Sequence, residues 1–258
     1  LKMLAYILES KEGKGNDYVE LFSPKIQDQM VKANLHKIME VPAQSILFNI
    51  DQEADAANTD DESALLYIFE KVFNRHLGYF PYNRNIAEFE RHLDDEGNFA
   101  AFKEKYKRQT AKEWEQDRSK AFGIGRSKLV PVLREILGMQ EDDARALIEQ
   151  YKQGSSLSVE SFVHRVREWL DKQETSDYRL NFFIDEVGQF VSGKTRLMLN
   201  LQTLAETFAT VCEGRVWIFV TSQEDLQSVV GDPTARQVQD YSKINARYHL
   251  RISLSSTD

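Results

Sequence analysis

Two adjacent carboxylates, Asp185 and Glu186, interrupt an otherwise apolar stretch of the chain, NFFIDEVGQF at 181–190. Because an unpaired buried charge must be paired, bind a metal or become neutral, these side chains do not belong inside a core. We expect them at the carboxyl end of a buried parallel strand, where α/β sheets place their ligands. There Asp185 could hold Mg²⁺, directly or through water, and Glu186 could polarise a water that attacks a γ-phosphate. This is the pattern of a Walker B strand; the alternative is a strand end that becomes an acidic, solvated loop.

The segments around the acid pair alternate between strand and helix patterns. Strands are predicted at 45–51, 181–187, 216–222 and 248–255, and amphipathic helices at 1–10, 25–39, 64–77 and 197–212. A further helix is predicted at 233–247, where Pro233 fits the first helical turn. This alternation predicts an α/β protein with a parallel sheet. Residues 86–178 lack strand signals and are charged and helical in character, so we expect a large helical insertion there, between core segments at 1–85 and 179–258.

Composition limits the function classes. The net charge of −8 over 258 residues gives no global attraction to nucleic acid, so any DNA contact would need a local basic patch. The stretch KEKYKR at 103–108 is such a patch, or else a solvated helix face. The single cysteine, Cys212, excludes an internal disulfide and a cysteine-rich zinc site and predicts a reducing cytoplasm. No apolar run is long enough to cross a membrane.

A second motif, GQFVSGKT at 188–195, satisfies the phosphate-loop pattern G-x-x-x-x-G-K-[ST]. A phosphate loop surrounds phosphates with backbone N–H groups and one Lys, and here Asp185 and Glu186 would face the same anion. Phe190 and Val191 are also bulky for a loop that approaches phosphate closely. We therefore predict that Lys194 and Thr195 begin an ordinary helix, and that K194A leaves nucleotide binding near normal.

Asp51 is a rival metal-binding acid because it also ends a predicted strand, SILFNID, although no Glu follows it. Together Asp51, Asp185 and Glu186 permit a weaker alternative, a metal-dependent nuclease. That alternative also needs a nearby Lys in a cleft, which the spacing does not show. A cleavage assay with a divalent metal and no ATP separates it from an ATPase.

The strand order fits an additional-strand P-loop NTPase, an ASCE or AAA+-like fold, whose first strand is missing from this chain. In that class the acid pair ends the third strand, and a polar sensor residue, here Thr221 or Ser222, ends the fourth. The acid pair lies on the second strand of this chain, so we expect one strand and a phosphate loop ahead of Leu1. The predicted cofactors are ATP and Mg²⁺.

Several stretches carry a family resemblance. LKMLAYILES, SILFNID, DEVGQF followed by KTRLMLNLQTLAET, VWIFVTSQEDL and SKINARYHLRISLSS together resemble the BrxC family of BREX phage-defence P-loop ATPases, related to PglY. The resemblance covers nearly the whole chain, as an N-terminal part of a much larger protein. It implies an AAA+-like ATPase that works in a cytoplasmic defence complex restricting phage DNA, alongside a DNA methyltransferase.

The resemblance also implies residue roles. Asp185 and Glu186 match the Walker B acids, and Thr221 or Ser222 matches the first sensor. Arg247 lies where such proteins carry an arginine finger, which acts on a neighbouring subunit of a homo-oligomer; Arg251 is the weaker candidate. A surface arginine at a helix C-terminus is the alternative for Arg247.

A different class of function stays open, a scaffold that keeps the ATPase fold for assembly. Its helical insertion would recruit partners or DNA. The scaffold predicts that E186Q leaves phage protection intact and that deletion of 86–175 abolishes it.

Overall fold

A computed structural model of the chain describes residues 1–9, 14–54, 63–154, 156–191, 194–222 and 252. In chain order the elements are α1 Lys2–Leu8, α2 Lys14–Phe22, a 3-10 turn Ser23–Lys25, α3 Gln29–Met39, β1 Ala43–Asn49, α4 Ile50–Glu53, α5 Ala64–His76, α6 Arg84–Asp95, α7 Phe99–Thr110, α8 Trp114–Asp117, a 3-10 turn Arg118–Lys120, α9 Arg126–Leu137, α10 Glu141–Gln153, α11 Val159–Asp171, β2 Arg179–Asp185, α12 Val187–Val191, α13 Thr195–Val211 and β3 Val216–Val220. Over these ranges no helix is long and apolar enough to cross a membrane.

The strands form a parallel sheet in the order β1–β2–β3, so the predicted α/β class is confirmed. β1 and β2 each begin and end two residues earlier than predicted, and β3 ends at Val220 rather than at Ser222. The predicted strand at 248–255, apart from residue 252, and the predicted helix at 233–247 lie outside the described residues.

Both faces of β2 are buried, as the apolar run predicts. On one face Phe182 packs against Phe208 of α13, which in turn meets Phe162 of α11. On the other face Phe183 packs against α1 and stacks on Phe219 of β3, with ring centroids 4.4 Å apart. Each fully buried Phe contributes roughly 2 kcal/mol of hydrophobic stabilisation, so helices on both sides anchor β2 firmly.

Helix α1 runs antiparallel to the strands it covers. Ser45, near the start of β1, donates a hydrogen bond to the Ala5 carbonyl at 3.0 Å. Glu9 lies just past the other end of the helix, and Tyr178 directly precedes β2. Burial first, and then the negative charge of Glu9, raise the pKa of Tyr178. The C-terminal end of α1 is therefore at the amino edge of the sheet, and its N-terminal end points toward the carboxyl edge.

The chain divides into two compact units, Leu1–Ile68 with Leu157–Asp258, and Phe69–Ser156. The second unit is helical and has its own core, in which Phe89 contacts Phe102, Trp114 and Phe122 edge-on or at a tilt. It begins and ends earlier than the predicted insertion at 86–178. It ends earlier because α11, although helical, packs on α13 in the sheet-containing unit. It begins earlier because the boundary falls inside α5.

Candidate functional site

Polar side chains from all three strands meet at the carboxyl edge of the sheet. Asn49 at the end of β1 is in register with Asp185 at the end of β2, and Thr221 directly follows the last residue of β3. Because side chains alternate along a strand, Asn49 and Asp185 face the same side of the sheet. Asp185 and Glu186 are half-buried at this edge, as expected for a ligand-binding position in an α/β sheet.

Thr221 ties the end of β3 to the acid pair. Its hydroxyl donates a hydrogen bond to Asp185 Oδ1 and accepts one from the Glu186 N–H at 3.2 Å. Its backbone carbonyl also accepts from the Val187 N–H at 3.0 Å, and its own N–H donates to the Ile184 carbonyl at 3.0 Å. This single residue therefore sets the orientation of Asp185 and the path of the chain through Glu186.

Glu186 has a left-handed backbone conformation, with φ of 63°. This conformation is uncommon for a residue with a side chain and costs of order 1 kcal/mol, so the surrounding hydrogen bonds must hold it. Its carboxylate Oε2 accepts a hydrogen bond from Asn49 Nδ2 at 2.8 Å. The sharp turn at Glu186 thus places its carboxylate beside the end of β1.

Sequence reasoning missed Asn49. Its amide oxygen accepts from the Gln52 N–H at 3.2 Å and caps α4, while its amide nitrogen holds Glu186. A signal was present, since Asn49 is the polar residue that ends an apolar strand. Its partner, however, lies 137 positions away in the sequence, so only the sheet register brings the two together.

The two predicted sensor residues occupy different places. Thr221 contacts Asp185, whereas the more exposed Ser222 lies against Gly188 at the start of α12. Arg247 and Arg251, the candidates for an arginine finger, lie outside the described residues.

Asp51 does not join the acid pair. It lies in the first turn of α4 with an exposed side chain, because β1 ends at Asn49 rather than at Asp51 as predicted. Within the described part of the chain, no three His, Cys, Asp or Glu side chains come together as a potential metal cluster. The three-acid arrangement of the nuclease alternative is therefore not assembled.

The acid pair still suits Mg²⁺ that arrives with a nucleotide. Asp185 accepts the Thr221 hydrogen bond at Oδ1, and its Oδ2 accepts none from any residue that the structure describes. Mg²⁺ keeps several waters and takes one or two carboxylates plus substrate phosphates, so it does not need a cage of protein ligands. The donor set at this edge, one carboxylate backed by a hydroxyl, fits that requirement.

The phosphate-loop-like motif does not form an open loop over its first half. Gly188–Val191 are helical, within α12, and the Lys194 ammonium lies 5.6 Å from the centre of the Phe190 ring. Ser192 and Gly193 lie outside the described residues. The described half of the motif is therefore a short helix and not an extended loop that wraps around phosphates, which favours its rejection.

The basic stretch at 103–108 is neutralised by ion pairs along α7. The four pairs are Lys103–Glu115, Lys105–Glu135, Lys107–Glu113 and Arg108–Glu104. Each is at least partly exposed, so each adds little stability, but together they cancel the local positive charge. The solvated-face interpretation of this stretch fits better than a DNA contact.

A cleft of about 680 Å³ lies at the opposite, amino edge of the sheet and contains none of the candidate residues. Its lining includes Arg215, which pairs with Asp171, and Arg167, which pairs with Asp171 and Glu213. The hydrogen bonds from Arg215 and then Arg167 lower the pKa of Asp171. Since these charges are already paired with one another, the cleft resembles a structural ion cluster more than a ligand site.

No protein-family model matches the chain, and no solved structure matches it significantly.

Proposed function

We propose that the carboxyl edge of the sheet is the Mg–ATP site of an AAA+-like P-loop ATPase, which acts in a bacterial anti-phage (BREX) complex on phage DNA. The observation that carries the ATPase proposal is the Thr221 bridge, because one hydroxyl from a neighbouring strand contacts both residues of the acid pair. Thr221 contacts the carboxylate of the proposed metal-binding acid and the backbone N–H of the proposed base, so it fixes the position of one relative to the other. The BREX context rests on the sequence resemblance alone.

Each residue at this edge has a defined task in the proposed reaction. Asp185 would hold Mg²⁺, directly or through water, and the metal would neutralise charge on the phosphates. Glu186 accepts the proton of the attacking water, and Asn49 keeps the Glu186 carboxylate in one orientation. Thr221 aligns Asp185 with Glu186.

The direction of α1 also supports the proposal. Because its C-terminal end lies near the start of β2, its N-terminal end points toward the carboxyl edge of the sheet, where Asp185 and Glu186 lie. A helix whose N-terminus points at a phosphate site in this way has the direction found in P-loop ATPases. In the proposed assembly, Arg247 of a neighbouring copy supplies the remaining positive charge to the γ-phosphate.

The decisive experiment replaces Glu186 by Gln in the native full-length protein. E186Q keeps the shape of the side chain but cannot accept the proton, so we expect Mg–ATP to bind and turnover to fall by at least about 100-fold. Binding is measured with a fluorescent ATP analogue and turnover by phosphate release. The matched control is E40Q, which changes an exposed Glu at the end of α3 and should hydrolyse ATP like the wild type.

Wild-type turnover in E186Q would refute the proposed function. Phage protection separates the ATPase from the scaffold alternative. The ATPase proposal predicts that E186Q loses protection, whereas the scaffold predicts that protection survives.

A further inference from the structure

Gly188 lies in the first turn of α12, is buried, and has no side chain where the end of β3 approaches. The φ angle of Gly188 does not lie in the left-handed region, so its backbone conformation does not itself require glycine. What excludes a side chain is space. A Cβ at this position would overlap Ser222 Oγ and come within 2.9 Å of Ser222 Cβ, closer than such atoms pack.

The close approach occurs beside the Thr221 bridge. The Val187 N–H donates to the Thr221 carbonyl, and the Thr221 N–H donates to the Ile184 carbonyl, so α12 and β3 are joined on both sides of the acid pair. Ser222 follows Thr221 directly and is the residue that packs on Gly188. A methyl group at 188 must push Ser222 outward, and Thr221 moves with it because the two are consecutive.

We propose that Gly188 is a positioning residue, which lets the end of β3 approach closely enough for the Thr221 hydroxyl to reach Asp185 and the Glu186 N–H. The inference rests on the proposed function for its effect on ATP hydrolysis, but the contact itself does not. It also gives the first glycine of the phosphate-loop-like motif a different task. That glycine serves the packing of α12 against β3 and makes no contact with phosphate.

The test is a double-mutant cycle of G188A and S222G in the native full-length protein. S222G removes the atoms that the new methyl group would strike. We expect G188A to lower the Tm by about 5 °C, the usual size of an overpacking effect, and the added S222G to recover most of that loss. The matched control is G123A, because a Cβ at Gly123 would lie an ordinary 3.7 Å from the Lys120 carbonyl and should leave the Tm unchanged.

The positioning role is tested by ATP hydrolysis, because a loss of packing that affects only stability would leave kcat unchanged. We expect kcat for ATP hydrolysis to fall about tenfold in G188A, since small misplacements of reacting groups are costly, while the Kd for Mg–ATP stays within about twofold. In the double variant kcat should return to the value measured for S222G.

Additive effects of G188A and S222G on the Tm would overturn the Gly188–Ser222 contact. A coupled Tm with an unchanged kcat in G188A would overturn the positioning role. A wild-type protein that hydrolyses no ATP would overturn the proposed function instead, and the Tm cycle would still support or reject the contact.

Discussion

Asn49 serves two groups at once, because the two ends of its amide point to different partners. Its nitrogen holds the Glu186 carboxylate at 2.8 Å, and its oxygen caps α4 through the Gln52 N–H at 3.2 Å. A general base is effective only when it is held within reach of the proton that it accepts. In the proposed reaction, Asn49 is therefore the residue that orients the base.

Two substitutions separate these tasks. N49A removes both interactions, whereas N49S keeps a hydroxyl that can cap α4 but is too short to reach Glu186. We expect both variants to lose about tenfold in kcat, because orientation of the base is lost in each. Only N49A should also lose stability, about 1 kcal/mol for the missing helix cap.

Steady-state ATPase assays and urea unfolding measure the two effects. If N49S hydrolysed ATP at the wild-type rate, the Asn49–Glu186 hydrogen bond would have no part in positioning the base.

Glu90 joins several helical elements of the second unit from inside its core. It is fully buried, and its two oxygens accept hydrogen bonds from Trp114 Nε1 at 2.6 Å, the Phe80 N–H at 2.5 Å and Arg118 Nη1 at 3.3 Å. These donors favour the charged form, but burial is the strongest influence and raises the pKa of Glu90 above its usual value of 4.5. The folded unit therefore holds a proton on this carboxyl more tightly than the unfolded chain does.

This difference predicts a pH dependence. The contribution of Glu90 to stability is fully present below 4.5 and is lost as the pH rises through its raised folded-state pKa. E90Q cannot ionise, so the free energy of unfolding of the wild type should fall relative to that of E90Q as the pH rises through this window. Urea titrations at successive pH values measure the difference.

The matched control is E160Q, at an exposed Glu in the first turn of α11. As a surface substitution, it should change the free energy of unfolding by less than about 0.5 kcal/mol. A difference between wild type and E90Q that did not vary with pH would show that burial does not disfavour the Glu90 carboxylate.

Charge is distributed unevenly over the whole molecule. The chain carries a net charge of −8, yet Phe69–Ser156 contains 16 Lys and Arg against 15 Asp and Glu. The second unit is thus nearly neutral, and the cations of its basic stretch are paired with glutamates. Neither the total charge nor this stretch provides the electrostatic attraction that DNA binding usually requires.

Removal of two of these cations tests the DNA-recruiting scaffold. We expect the K103Q/K107Q variant of the full-length protein to bind DNA within about twofold of the wild type, with an unchanged salt dependence. A phosphate-binding insertion predicts instead that the slope of log K against log salt falls by about two, one for each lost contact. Fluorescence anisotropy at several salt concentrations distinguishes the two results.

The sequence by itself determined the local features of this protein. Apolar periodicity located β1, β2, β3, α1, α5 and α13 to within a few residues, and the cost of burying charge placed Asp185 and Glu186 at the end of a strand. These inferences succeed because the spacing of apolar residues, and the burial that it implies, are properties of short segments. The observed strand ends differ from the predicted ones by up to two residues, because pairing with the neighbouring strand, and not the segment alone, decides where a strand ends.

Only the tertiary structure decided which residues act together. It paired Asn49 with Glu186, chose Thr221 over Ser222 as the partner of Asp185, and set Ser222 against Gly188. It also assigned α11 to the sheet-containing unit. The pairings at the sheet edge depend on the parallel register between strands that are far apart in the chain, and the place of α11 depends on its packing against α13. No pattern within one segment carries that information.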